Sequence, residues 1–312
     1  MERMKNLILF ELKKILNNKK AFLFLLVLNM VPIVSSLILL ITYITCRGLG
    51  LGDIQFMGMK KAIQFMFTGH FTVFSYIAPF FLALIVGDSF STEFGKGYMK
   101  MLLITPVKRW QVIAAKSVSI ITFLLIAVVL GGLILQTDLL IARGITQPMG
   151  VLPGQLQAKA MDTSLTMVTA SSAAQLFVIS FISNIMMIGF FIVFSMYFES
   201  AILMAFCSLS AIIGIHVFYW SSDILKTLLS SFLTKGSSLE LLINSFDGIS
   251  KYFCFTRYYT ELFHINSIQE LLNDKISIFS DKITGPLGFC IVWTIIFYIV
   301  GNLIFSRKQI LH

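Results

Sequence analysis

Charge is sparse in this chain, and one interruption between two apolar runs carries a cluster of it. Residues 88–116, DSFSTEFGKGYMKMLLITPVKRWQVIAAK, carry Lys96, Lys100, Lys108, Arg109 and Lys116 against Asp88 and Glu93. Met99, Leu102 and Leu103 share one side of a short predicted helix. Pro106 ends that helix by withholding a backbone donor and restraining Ile104 and Thr105. Apolar knobs ringed by ionic side chains suit a recognition surface. The knobs fill a groove, and Glu93, Lys96, Lys100, Lys108 and Arg109 pair with its rim. The plainer alternative is an interfacial helix that only steadies the bilayer boundary.

Residues for bond-making chemistry do not assemble. There is no G-x-x-x-x-G-K-[ST]; Gly95-Lys96 lacks both the upstream glycine and the following Ser or Thr, so the chain cannot cradle a nucleotide by that device. H-E-x-x-H and G-x-S-x-G are missing too. His70, His216, His264 and His312 are too far apart for a metal site within one helix, and Cys46, Cys207, Cys254 and Cys290 form no C-x-x-C pair. No catalytic residue, metal or bound cofactor is expected. Three ionisable residues do fall in or beside apolar runs: His70, Asp138 and His216. Each sits near the outer end of its run, where snorkelling or an interhelical hydrogen bond explains it; a place on a substrate path is the functional alternative. No charge occupies mid-span, which argues against a proton relay.

The elements that would hold these residues are membrane spans. The chain has 312 residues, 57% of them hydrophobic and only 12% charged, half the usual share for a soluble domain. Its net charge of +9 reads as basic residues holding loops on one side of a membrane, not as a nucleic-acid surface. Six runs approach the ~20 residues that a bilayer core requires: 21–46, 67–86, 117–141, 173–198, 201–220 and 286–305. The first is too long for a signal-peptide core and is expected to stay as an anchor. Only Glu199 and Ser200 separate the fourth run from the fifth, which predicts a tight helical hairpin.

Residues 1–20 predict an amphipathic interfacial helix. Met4, Leu7, Ile8, Leu12, Ile15 and Leu16 share one face, and Lys5, Lys13, Lys14, Asn17 and Lys20 lie opposite. With the N-terminus cytoplasmic, thirteen basic residues lie inside and five in the two short outer loops, so both termini are expected inside. Residues 221–285 then lie outside. They hold apolar clusters broken by Ser, Gly and Asp, which predicts short amphipathic helices on the outer face. Tyr252, Phe253, Phe255, Tyr258, Tyr259 and Phe263 form an interfacial aromatic belt there.

Within 88–116, Glu93-Phe94-Gly95-Lys96-Gly97, Lys100-Met101-Leu102-Leu103, Pro106, Arg109 and Ala115-Lys116 resemble the ABC transporter type-2 permeases. That family carries an acidic residue, a Gly-Thr pair, a basic residue, two apolar residues, a proline, an arginine and then Ala-Lys opening the next span. Tyr98 stands where Thr is common. The resemblance implies an all-α membrane protein of six spans, with a coupling helix in 88–116 that docks on a separate ATPase. It implies ATP-Mg on that partner rather than on this chain, and a homodimer or a pair with a second six-span permease in the cell membrane. An exporter is the activity implied. A non-transporting membrane scaffold or assembly factor and an ATP-independent carrier remain alternatives. The substrate is not named by the sequence.

Overall fold

Apolar segments in lipid satisfy their backbone by bonding within themselves, and every regular element among the described residues is a helix. The computed structural model describes residues 2–48, 52–97, 108–146, 170–230, 254–264 and 277–307, with Ser245, Ile268 and Glu270. In chain order the helices are α1 (Glu2–Leu16), α2 (Lys19–Gly48), α3 (Gly52–Ser89), α4 (Ser91–Gly95) and α5 (Arg109–Thr146). They continue with α6 (Ala170–Ser195), α7 (Ala201–Ser230), α8 (Phe255–Leu262) and α9 (Asp281–Arg307). Among the described residues, five stretches are long and apolar enough to cross a membrane: Phe67–Gly95, Arg109–Thr137, Ala174–Ser195, Ala201–Ser221 and Asp281–Arg307. The remaining expected run, 21–46, lies within α2, a continuous helix of 30 residues.

The helices outrun the apolar runs. α3 continues to Ser89, α5 begins at Arg109 rather than 117, and α9 begins at Asp281 rather than 286. Backbone hydrogen bonding carries on past the hydrocarbon edge, where polar side chains sit on a helix as well as on a loop. Both ends of the expected loop 88–116 are therefore helical, and Lys116 stands about two turns inside α5. The hairpin between the fourth and fifth runs is present: α6 stops at Ser195, 196–200 turn, and Met204 N donates to Ser200 O at 3.0 Å. Glu199 is exposed in that turn.

Aromatic and aliphatic side chains fill the space between the long helices. Phe24 of α2 meets Phe81 of α3 at 5.6 Å and Phe123 of α5 at 5.9 Å between ring centroids. On α6, Met186, Met187 and Phe191 are buried. Phe190 packs on Phe297 of α9 at 5.5 Å.

Two expectations about the flanking helices need correction. α1 does not simply lie on lipid. Ile15 is buried, Leu12 packs on the core, and Ser119 Oγ of α5 donates to Ile8 O at 2.9 Å, whereas Leu9, Phe10 and Leu16 are exposed. Its inward stripe also contains Glu11, so it is not purely apolar. Likewise the aromatic residues of α8 form no outer belt: Phe255, Tyr258 and Tyr259 are buried. Tyr258 stacks on Phe289 of α9 at 4.4 Å, and Tyr259 Oη donates to Ser75 O of α3 at 2.9 Å. The reason for the second contact lies four residues on. Pro79 is inside α3 and has no N–H, so the Ser75 carbonyl loses its helical donor and Tyr259 supplies another. Tyr252 and Phe253 lie outside the described residues.

Candidate functional site: an ionic junction beneath the charged loop

At the end of the bundle that carries α1, the charges of the sequence are drawn together rather than spread in water. Lys116 is 1% exposed. Its Nζ lies 2.7 Å from Glu11 Oε1 of α1 and 2.7 Å from Glu93 Oε2 of α4. Glu93 Oε1 in turn pairs with Lys14 of α1. The order Glu11–Lys116–Glu93–Lys14 alternates in sign and sums to zero. That alternation is what makes burial tolerable, because an isolated charge here would forfeit several kcal/mol of hydration. The contact to Glu11 is a hydrogen bond; the one to Glu93 Oε2 is close but poorly aligned, so that oxygen has an ion-pair partner without a hydrogen bond. The Phe90 ring lies 5.9 Å from Lys116 Nζ and adds a cation–π contact.

A second ion pair lies alongside. Asn18 caps α2 by accepting from Lys20 N at 3.0 Å, and its amide donates to Asp88 Oδ2 at 3.0 Å. Lys20 Nζ meets Asp88 Oδ1 at 2.8 Å, so the start of α2 is tied to the end of α3.

The five-residue α4 is the hub. Besides Glu93, its Ser91 Oγ donates to Ser195 O, the last residue of α6, at 3.2 Å. Phe94 packs on Phe305 of α9 at 5.8 Å. Gly95 lies against the 196–200 turn: a Cβ there would stand 2.8 Å from Glu199 O. Gly97 then leaves at φ +73°, a left-handed conformation that favours glycine, and starts the loop. At the start of α5, Arg109 Nη1 donates to Ser306 O near the C-terminus of α9 at 3.2 Å, a favourable place for a cation.

The residues expected to dock a partner therefore divide. Glu93 is buried and committed to Lys14 and Lys116, so it is not on the rim; Arg109 is half-buried and bonded to α9. Lys96 is exposed. Met99, Lys100, Leu102, Leu103 and Pro106 lie outside the described residues. His70 is buried, His216 is half-buried with its ring 6.2 Å from Trp220, and the side chain of Asp138 is outside the described residues. Sequence reasoning missed Glu11, Lys14 and Ser91 as members of the junction. Glu11 was findable: it stands at the same helical spacing as Ile8 and Ile15, an acid within an apolar stripe, and such an acid needs a cation opposite.

Among the described residues no group of three or more His, Cys, Asp or Glu side chains is placed to hold a metal ion. The arrangement is suited to mechanical linkage rather than to bond making. Compared with known proteins, the chain matches no family model and no curated sequence.

Proposed function

We propose that this chain is the permease subunit of an ATP-driven ABC exporter. In this reading it crosses the cell membrane six times with both termini cytoplasmic and pairs with a second six-span permease. A separate ATPase drives it by docking on the loop between Gly97 and Lys108. The observation that carries the reading is the position of α4 at the root of that loop. It is bonded to α1, α5 and α6 and pressed against the turn before α7. A partner that displaces the loop therefore acts on several helices at once, and work passes between subunits only through contacts that differ between two states. The sequence supplies the other half of the argument: a charged loop with apolar Met99, Leu102 and Leu103, and no nucleotide-binding loop anywhere in the chain.

The test is purification of the tagged chain from its native membrane in mild detergent, with identification of what comes with it. An ATPase should copurify, and Met99→Ala with Leu102→Ala should weaken its retention about tenfold, since buried apolar anchors dominate interfaces. Arg109 is left intact because it holds α9. If no ATPase accompanies the wild-type chain, or retention is unchanged in the double variant, the reading fails. Orientation is checked separately. A single cysteine at Ser237 should react with an impermeant reagent from outside intact cells.

A further inference from the structure

His70 and Asn29 are buried polar residues whose side chains are left with unmet hydrogen bonds between the helices. His70, on α3, is 1% exposed. Its ring is walled by Phe71 at 5.4 Å, Phe74 at 6.2 Å and Phe177 of α6 at 6.2 Å between centroids, and its Nδ1 has no partner. Asn29, on α2, is 9% exposed. Its amide nitrogen donates to Leu25 O at 2.7 Å, while its Oδ1 has no partner. Both side chains converge on Gly131 of α5. The point where a Cβ would stand there is 3.2 Å from His70 Nε2 and 3.8 Å from Asn29 Oδ1. Buried polar atoms are nearly always paired, so the orphaned Asn29 Oδ1, with the Nε2 edge of His70 beside it, indicates a missing partner.

We propose that His70 and Asn29 form a site, between α2, α3 and α5, for the hydroxyl group of a neutral amphiphile. The chemistry selects the class. Asn29 keeps its donor on Leu25 and offers only an acceptor. A neutral imidazole offers one N–H and one bare nitrogen. A hydroxyl fits the two facing atoms, donating to Asn29 Oδ1 and accepting from His70 Nε2–H, with Nδ1 left as the bare nitrogen of that tautomer. A carboxylate has no proton for Asn29. An ammonium would need a counter-charge, and His70 and Asn29 make no ion pair among the described residues. Met30 and Leu130, next in sequence to Asn29 and Gly131, are exposed on the outer surface, so the site lies one residue beneath the lipid face. Only the identification of this ligand as cargo rests on the permease reading; the binding stands without it.

The experiment uses the full chain in phosphatidylcholine nanodiscs, with His216, His264 and His312 changed to Gln so that His70 alone gives imidazole 15N signals. 1-Decanol should shift those signals saturably. Decyl methyl ether, which cannot donate, should bind about tenfold more weakly, the size of one buried hydrogen bond. Asn29→Leu should abolish the preference for the alcohol, and so should Gly131→Ala, which fills the space from the other side. Equal responses to alcohol and ether, or a preference that survives both substitutions, overturn the site. Loss of the response with ATPase copurification intact refutes this site alone; the converse refutes the permease reading alone.

Discussion

Tyr259 donates its hydroxyl hydrogen to the Ser75 carbonyl, 2.9 Å away, in place of the N–H that Pro79 lacks. The same hydroxyl oxygen lies 3.4 Å from Asn184 Oδ1 of α6, so α8 joins α3 to α6 at this point. Burial holds the Tyr259 hydroxyl well above its ordinary pKa, which keeps it a donor throughout the usable pH range. Tyr259→Phe should leave a buried carbonyl unpaired and destabilise the chain by ~1–3 kcal/mol. Adding Pro79→Ala restores a helical donor to Ser75 and should recover part of that loss. Thermal unfolding in detergent measures both. Losses that simply add would show that the proline and the tyrosine are not linked.

The junction around Lys116 makes a sharper prediction. Lys116→Met strands Glu11 and leaves Glu93 with Lys14 alone. Removing one member of a buried ionic group costs ~3–5 kcal/mol, because the partner charge stays buried. Lys116→Met combined with Glu11→Leu deletes one charge of each sign and retains Glu93–Lys14. The double variant should be more stable than Lys116→Met alone. Equilibrium unfolding of both proteins decides it, and a double variant less stable than the single one would rule out the alternating arrangement.

Lys20 and Asp88 offer the contrast. Their side chains are 38% and 23% exposed, so water screens the pair. Lys20→Met should cost no more than ~1 kcal/mol, and the difference should shrink as salt is raised. Stability at low and high salt checks this. A loss matching that of Lys116→Met would mean that burial is not what separates the two sites.

Two glycines two residues apart should fail for different reasons. Gly95→Ala places a methyl 2.8 Å from the Glu199 carbonyl and must push α4 off the 196–200 turn. Gly97→Ala meets open space but holds φ +73°, which costs an L-residue ~1–2 kcal/mol. Gly97→Asn should be milder than Gly97→Ala, since Asn visits this conformation; Gly95→Asn should be worse than Gly95→Ala. Unfolding midpoints of the four variants separate the two mechanisms.

The helical runs were legible because apolar length is a one-dimensional property. So was the hairpin around Glu199. What the sequence does not display is pairing at a distance. Nothing near Glu93 identifies Lys14 and Lys116 as its partners, since three helices must first be laid side by side. Its spacing among Lys96 and Lys100 suggested a solvated rim instead. The aromatic residues of α8 misled in the same way. Tyrosine suits an interface belt, but here Pro79 creates a carbonyl that draws Tyr259 inward. Proline inside a span and an acid inside an apolar stripe each announce that something must come to meet them.

The bond between Glu11 and Lys116 spans 105 residues, and that between Lys14 and Glu93 spans 79. During synthesis α1 is made first, yet the cation that accepts its acid is not made until α5. The first helix is consequently the last of its group to be fixed, and a nascent chain carries it as a loose amphipathic segment until α5 is made. Chains stalled at residue 108 should leave a cysteine at Ile15 open to thiol reagents; chains stalled beyond residue 146 should protect it. Equal protection at both lengths would mean that α1 docks before its partner exists.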